Sequence, residues 1–180
     1  ECVTPPENLD EPWQVSEDTK LCEGTYNMPY GIEIINDGVE LDCDGAVIVG
    51  DNVFISKGLF IKNHENTKIQ NCKFQKFRYG IYLESSNNNK IKDNVLSDNY
   101  EDGILVYKSN NNIIEENEII NNVGEETNGI YITESYYNTI EANDILNNEG
   151  GSAIYIEFSN KNYIKNNNIE NNKYHGITIR

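Results

Sequence analysis

The chain has 180 residues, 30 carboxylates against 14 Lys and Arg, and a formal net charge of −16. So acidic a surface excludes nucleic acid and anionic membranes as partners, because phosphate recruits cations. No run approaches the roughly 18 apolar residues of a membrane span, so membrane insertion is excluded, and the length suits one domain rather than two.

In chain order, residues 1–30 come first and fit no repeat. They hold the four prolines, Pro5, Pro6, Pro12 and Pro29, and the single Trp13. They are expected to form an N-terminal cap, since an uncovered first strand would invite pairing. Cys2, Cys22, Cys43 and Cys72 show no CxxC pair, which favours the disulfides of an exported protein over zinc. A Cys2–Cys22 bridge would staple the cap, closing a loop of about twenty residues for roughly 3 kcal/mol. Cys43 and Cys72 stand at nearly matching positions and either pair or stay as buried thiols. The chain opens on Glu1 rather than Met, so a removed leader or a trimmed end is expected.

From residue 31 onward a repeat organises the chain. Each unit starts on a small residue: Gly58, Gly80, Gly103, Gly129, Ala153 and Gly176. One step on stand Leu59, Ile81, Ile104, Ile130, Ile154 and Ile177; three steps on stand Ile61, Leu83, Val106, Ile132, Ile156 and Ile179. Period two means a strand with one buried face. Eleven steps on come Ile69, Ile91, Ile114, Ile140 and Ile164, and sixteen steps on Phe74, Leu96, Ile119, Ile145 and Ile169.

Polar columns run in the same frame. Fourteen steps on are Asn94, Asn117, Asn143 and Asn167, headed by Cys72; nineteen on are Asn99, Asn122, Asn148 and Asn172, headed by Phe77. A column of serines, Ser86, Ser109, Ser135 and Ser159, is headed by His64. Asparagine offers two donors and an acceptor, so each copy can bond its turn and the next coil, about 4.8 Å away. Short strands, three per coil, predict an all-β chain: a right-handed single-stranded parallel β-helix of about six coils of 22–26 residues over 31–180. Its last coil ends on Ile177 and Ile179, which predicts a coil left open, continued by another segment, or covered by self-association.

The run Val39-Glu40-Leu41-Asp42-Cys43-Asp44-Gly45, followed by Gly-Ile-Tyr and Ser-x-x-Asn-x-Ile units, resembles the NosD-type parallel β-helix repeat family. The resemblance implies a pectin-lyase-like solenoid and a secreted, periplasmic or cell-surface location, alongside sugar-active β-helix enzymes. It also implies copper-site maturation, but copper needs His, Cys or Met, and the chain offers only His64, His175 and Met28 beside its cysteines. No metal or other cofactor is therefore expected. The acidic turns around Asp42, Asp44, Asp51, Glu125 and Glu126 read as solvated rather than as calcium sites.

Coil length varies at one corner only, just before each small residue, which points to loops on one working face. Beside it the outward positions read Phe60, Tyr82, Leu105, Tyr131, Tyr155 and Thr178. A glycan-binding stripe would use Tyr79, Tyr82, Tyr131 and Tyr155 for stacking, with Arg78 and Glu101 as hydrogen-bonding partners. The competing reading is that the tyrosines only pack on one another up the stack. The function expected is a non-catalytic extracellular scaffold or carbohydrate-recognition module. The alternatives are a carbohydrate-active enzyme, a hydrolase before a lyase or epimerase, and a self-assembling subunit. A hydrolase would draw its carboxylate pair from Glu84, Asp102, Glu126 and Glu157, with Glu84, Asp102 and Glu157 the first choices. An epimerase would have only His175 with Tyr174 and Tyr155.

Overall fold

The structure is a computed structural model that describes residues 1–7, 9–51 and 55–180. It is a right-handed parallel β-helix of three sheets, with eight, seven and seven strands. The first sheet runs from Trp13–Val15 through Tyr79–Glu84, Ile104–Tyr107, Ile130–Thr133 and Ser152–Glu157 to His175–Ile179. The strands of each sheet pair in parallel and in register, Leu59 with Ile81, Ile81 with Ile104, and so to Ile154 with Ile177.

Among the described residues there are seven full turns, one more than the six or so that the repeat suggested. Residues 13–27, expected as part of a cap, contribute one strand to each sheet, and Trp13 pairs with Ile32, Thr19 with Leu41 and Thr25 with Val47. The solenoid thus starts near residue 13. The sequence hides this turn because it lacks the Gly-Ile start and carries Thr19 where later turns have a leucine or isoleucine, although Val15 and Tyr26 occupy buried columns and Leu21 is buried beside them. Val3 extends the second sheet by a bridge to Leu21, held there by the Cys2–Cys22 disulfide.

All four apolar columns point inward. Every member from Leu59 to Ile156 is at most 3 % exposed, and only the last turn is open, with Ile164 and Ile169 partly buried. Each enclosed isoleucine contributes roughly 1.5–3 kcal/mol of burial. The small residue opening each unit has a packing cause. A Cβ on Gly103 would lie 2.5 Å from Cγ2 of Ile119 and 2.8 Å from the carbonyl oxygen of Gly129.

The corners explain the polar columns. From Asn63 to Asn171, each turn has four residues with φ between 47° and 63°, among them Tyr137, Ala142 and Phe158. This left-handed conformation costs about 1–2 kcal/mol for a residue with a Cβ. Directly after each such corner short of the last turn, the backbone N–H is received by a ladder side chain of the next turn, and from Ser86 onward the residue itself belongs to a ladder. In the fourteen-step column the backbone N–H and Nδ2 of Asn117 both donate to Oδ1 of Asn143, at 2.9 and 3.0 Å. The same Nδ2 also donates to the carbonyl of Ile91 at 2.9 Å. The nineteen-step and serine columns bond likewise. A third asparagine column, Thr67, Asn89, Asn112, Asn138 and Asn162, forms the same ladder nine steps into each unit. Its members recur in the sequence nine steps after each small residue, as regularly as those of the other two columns.

Cys43 and Cys72 are disulfide-bonded, with Cα atoms 4.7 Å apart, at the head of the fourteen-step column. A covalent rung replaces the amide rung there, and the N–H of Cys72 donates to Oδ1 of Asn94 at 3.0 Å. Cutting this loop by Cys43→Ala with Cys72→Ala is expected to lower stability by about 3–4 kcal/mol. The denaturant midpoint of oxidised parent against the double variant checks it.

Candidate functional site

The outer face of the first sheet is a grid with one residue per column on every rung. The column preceding the small residue reads Lys57, Tyr79, Asp102, Asn128, Ser152 and His175, joined by strand pairing and by hydrogen bonds from Asn128 to Asp102 and from Ser152 to Asn128. The next outward column is Phe60, Tyr82, Leu105, Tyr131, Tyr155 and Thr178. A third is Lys62, Glu84, Tyr107, Thr133 and Glu157.

Over the C-terminal half of this grid lies a cleft of about 980 Å³, at the upper end of the range for small-ligand sites. It reaches from Arg78 and Tyr79 to Thr178 and Arg180, with Glu125, Glu126 and Gly150 on the corner loops as its rim. Five strands lie beneath it, so it runs about 19 Å along the solenoid axis. The corner loops are close-packed. Thr127 donates its hydroxyl to the carbonyl of Tyr100 at 3.0 Å, and a Cβ on Gly150 would meet the oxygen of Gly124 at 2.2 Å.

Of the tyrosines singled out in the sequence, Tyr79, Tyr131 and Tyr155 line the cleft and are half-buried. Tyr131 and Tyr155 meet tilted, with ring centroids 5.2 Å apart, and both donate their hydroxyls to Glu157. Burial and then the Glu157 hydrogen bond push the Tyr131 phenol far up, so it stays protonated and donating. Burial and the Glu101 hydrogen bond do the same for Tyr79. Arg78 donates its Nε to Glu101 at 2.8 Å and sits over the Tyr79 ring, 5.0 Å from its centroid.

Tyr82 and Glu84 fall outside the cleft lining. Tyr82 packs between Phe60 and Tyr79, with centroids at 5.3 and 5.5 Å, and burial raises its phenol to about 12. Glu84 is paired with Lys62 at 2.8 Å. Tyr82 thus packs on its neighbours, and Glu84 is held in an ion pair.

Asp102 lies on the cleft floor, 4 % exposed. Its Oδ1 accepts both the backbone N–H and the Nδ2 of Asn128, at 2.8 and 3.0 Å. Burial raises its carboxyl to about 7, the two Asn128 hydrogen bonds opposing the rise and Glu101 adding to it.

The register keeps the three candidate acids apart. Glu84 and Glu157 share a column three rungs apart, about 14 Å between backbones. Asp102 stands in the column of Ser152, five residues before Glu157 on one strand, so about 16 Å separates them along the strand alone. A two-carboxylate glycosidase needs its acids about 5–9.5 Å apart. Leaning side chains recover only part of the difference, so no two of these three make such a pair.

The family described as periplasmic copper-binding protein (NosD) matches residues 14–180. The chain belongs to the NosD family. No curated protein matches its sequence. Among solved structures, it is similar to a protein from Parabacteroides merdae assigned as a glycosyl hydrolase, at 13 % identity and TM-score 0.56, covering 90 % of this chain and 83 % of that one. It is similar as well to the catalytic domain of a GH87 α-1,3-glucanase, at 13 % identity and TM-score 0.57, covering 94 % and 38 %. The periplasmic alginate epimerase AlgG gives 18 % identity, TM-score 0.53, and coverage of 94 % and 46 %. The chain therefore spans less than half of the last two, and at these identities the likeness is one of fold. A periplasmic family and two disulfides place this NosD-family chain outside the cytoplasm.

Copper does not suit the residues present. All four cysteines are in disulfides and carry no thiolate. Met28 is packed in the core, His64 is tied to Asp37 at 2.9 Å, and His175 stands on the last rung, five rungs away. Among the described residues no group of three His, Cys, Asp or Glu could hold an ion.

The outward columns read from this NosD-family sequence reach Thr178 but not Tyr100, Asn128, Ser152 or Arg180, which also line the cleft. Asn128 and Ser152 carried a signal, one step before the small residue, in the column of Tyr79 and Asp102. Tyr100 and Glu125 arrive on inserts of unequal length, where no column exists to read.

Proposed function

We propose that this NosD-family chain is a non-catalytic recognition module of the periplasm or cell surface that binds a linear glycan lengthwise in the cleft. The observation that carries the reading is the groove itself. It follows the solenoid axis across five rungs and offers half-buried tyrosines beside fixed carboxylates and an arginine. Tyrosine supplies apolar area for sugar faces, and its hydroxyl is held in place at little entropic cost. The fold shared with an α-1,3-glucanase and an alginate epimerase supports a carbohydrate ligand. The distances among Glu84, Asp102 and Glu157 count against two-carboxylate hydrolysis by any two of these three. The excess of carboxylates at Glu101, Asp102, Glu125, Glu126 and Glu157 disfavours a polyuronate.

A glycan array followed by calorimetry on the strongest ligand tests this. Tyr131→Ala with Tyr155→Ala is expected to weaken binding at least tenfold, the scale of losing about 1.5 kcal/mol of contact. Tyr82→Ala, outside the cleft, should leave affinity within twofold. An array without a hit, or equal losses at Tyr82 and Tyr131, would sink the proposal.

A further inference from the structure

We infer that the glycan bound in the cleft is an amino sugar whose free ammonium group sits on Asp102. This rests on the glycan-binding reading and narrows it to one substrate class. The argument starts from an asymmetry in how the Asp102 carboxyl is used. Both donors of Asn128 go to Oδ1. Oδ2 has no hydrogen-bond partner among the described residues. Yet no buried side-chain oxygen or nitrogen among them is left unpartnered, so Oδ2 opens on the groove. A side chain 96 % enclosed, anchored by one oxygen and presenting the other to a ligand cleft, is built to meet a donor.

The surrounding charges say which donor. The groove holds Glu101, Asp102, Glu125, Glu126 and Glu157 against Arg78, Arg180 and His175. Arg78 is committed to Glu101 and the Tyr79 face, and Arg180 lies over the Tyr155 ring, 5.8 Å from its centroid. Glu157 is satisfied by two tyrosine hydroxyls. Among the described residues no ion pair reaches Asp102. Of the charged and titratable groups near it, Glu101 opposes its ionisation, Arg78 favours it only weakly, and the Tyr79 and Tyr131 phenols stay neutral. A carboxylate in low dielectric gains most from a positive partner, and a primary ammonium supplies one with three donors. An N-acetylated sugar offers a neutral amide there and leaves the negative groove uncompensated. A uronate adds repulsion.

The test is calorimetric titration at pH 7 and 50 mM salt with chitosan hexamer, which carries free amines, and with its fully N-acetylated counterpart. Chitosan hexamer is expected to bind at least tenfold more tightly than the acetylated one. Asp102→Asn, which keeps the Asn128 acceptor, is expected to remove that preference, with a loss of roughly 30-fold or more for the free amine. Equal affinity for the two hexamers overturns the inference, as does a preference that survives Asp102→Asn. Chitosan binding untouched by Tyr131→Ala would be adhesion to the acidic surface, and overturns it too. If neither hexamer binds while the array finds a glycan lost on Tyr131→Ala, only the amino-sugar assignment fails. If the array finds none, the glycan reading fails with it.

Discussion

Asn117→Leu is expected to lower the unfolding free energy by about 3–6 kcal/mol, although leucine buries more apolar area than asparagine. The cause is stranding. Oδ1 of Asn117 accepts the N–H and the Nδ2 of Asn94, both at 3.0 Å, and its own Nδ2 serves the carbonyl of Ile91 at 2.9 Å. Leucine leaves two donors and one acceptor unpaired in a dry wall, at about 1–3 kcal/mol each. Domains of this size are stable by only about 5–15 kcal/mol in total, so the variant should be near unfolding. Asn168→Leu is the control, since that side chain is exposed and bonds only Asp144 at 3.1 Å. It should cost less than about 0.5 kcal/mol. Urea midpoints of the two variants decide the matter, and equal midpoints would mean the ladder adds nothing.

Asp102→Asn should have the opposite sign and depend on pH. The carboxyl titrates near 3.8 when unfolded and at about 7 when folded. The folded state therefore holds the proton more tightly. Stability from this group is fully present below pH 3.8 and is lost as pH rises to about 7, after which the loss is constant. A shift of this size corresponds to about 4 kcal/mol. Asparagine removes the titration and retains the oxygen that Asn128 uses. The variant should thus gain about 2–4 kcal/mol over the parent at pH 8 and nearly nothing at pH 3.5. Urea unfolding of both proteins at the two pH values measures this, and a gain independent of pH would show that the carboxyl is not desolvated. On the proposed reading, the cleft trades stability for a carboxylate at its floor.

The two residues differ in polarity as well. In the corner ladders, each turn donates to the side-chain oxygen of the next, as Asn94 does to Asn117. In the cleft column the direction reverses, Ser152 donating to Asn128 and Asn128 to Asp102. The corner ladders are buried up to the last turn, and the cleft column ends on an acid that uses only Oδ1 for Asn128.

Sequence alone determined the solenoid, its three strands per turn, the inward isoleucine columns and the asparagine and serine ladders. Each is a repeated local choice, and a column read down the page is a column in space when every turn has the same register. It also placed the variable corner beside the tyrosine stripe. Only the tertiary structure decided that residues 13–27 form a turn, because strand pairing there proceeds without the sequence marks of the repeat. Likewise the structure alone joined Cys43 to Cys72, put Tyr82 and Glu84 outside the cleft while bringing in Tyr100 and Arg180, and set the three acids too far apart to work as a pair. These outcomes depend on distances between turns and on inserts of unequal length, which a repeating pattern does not encode.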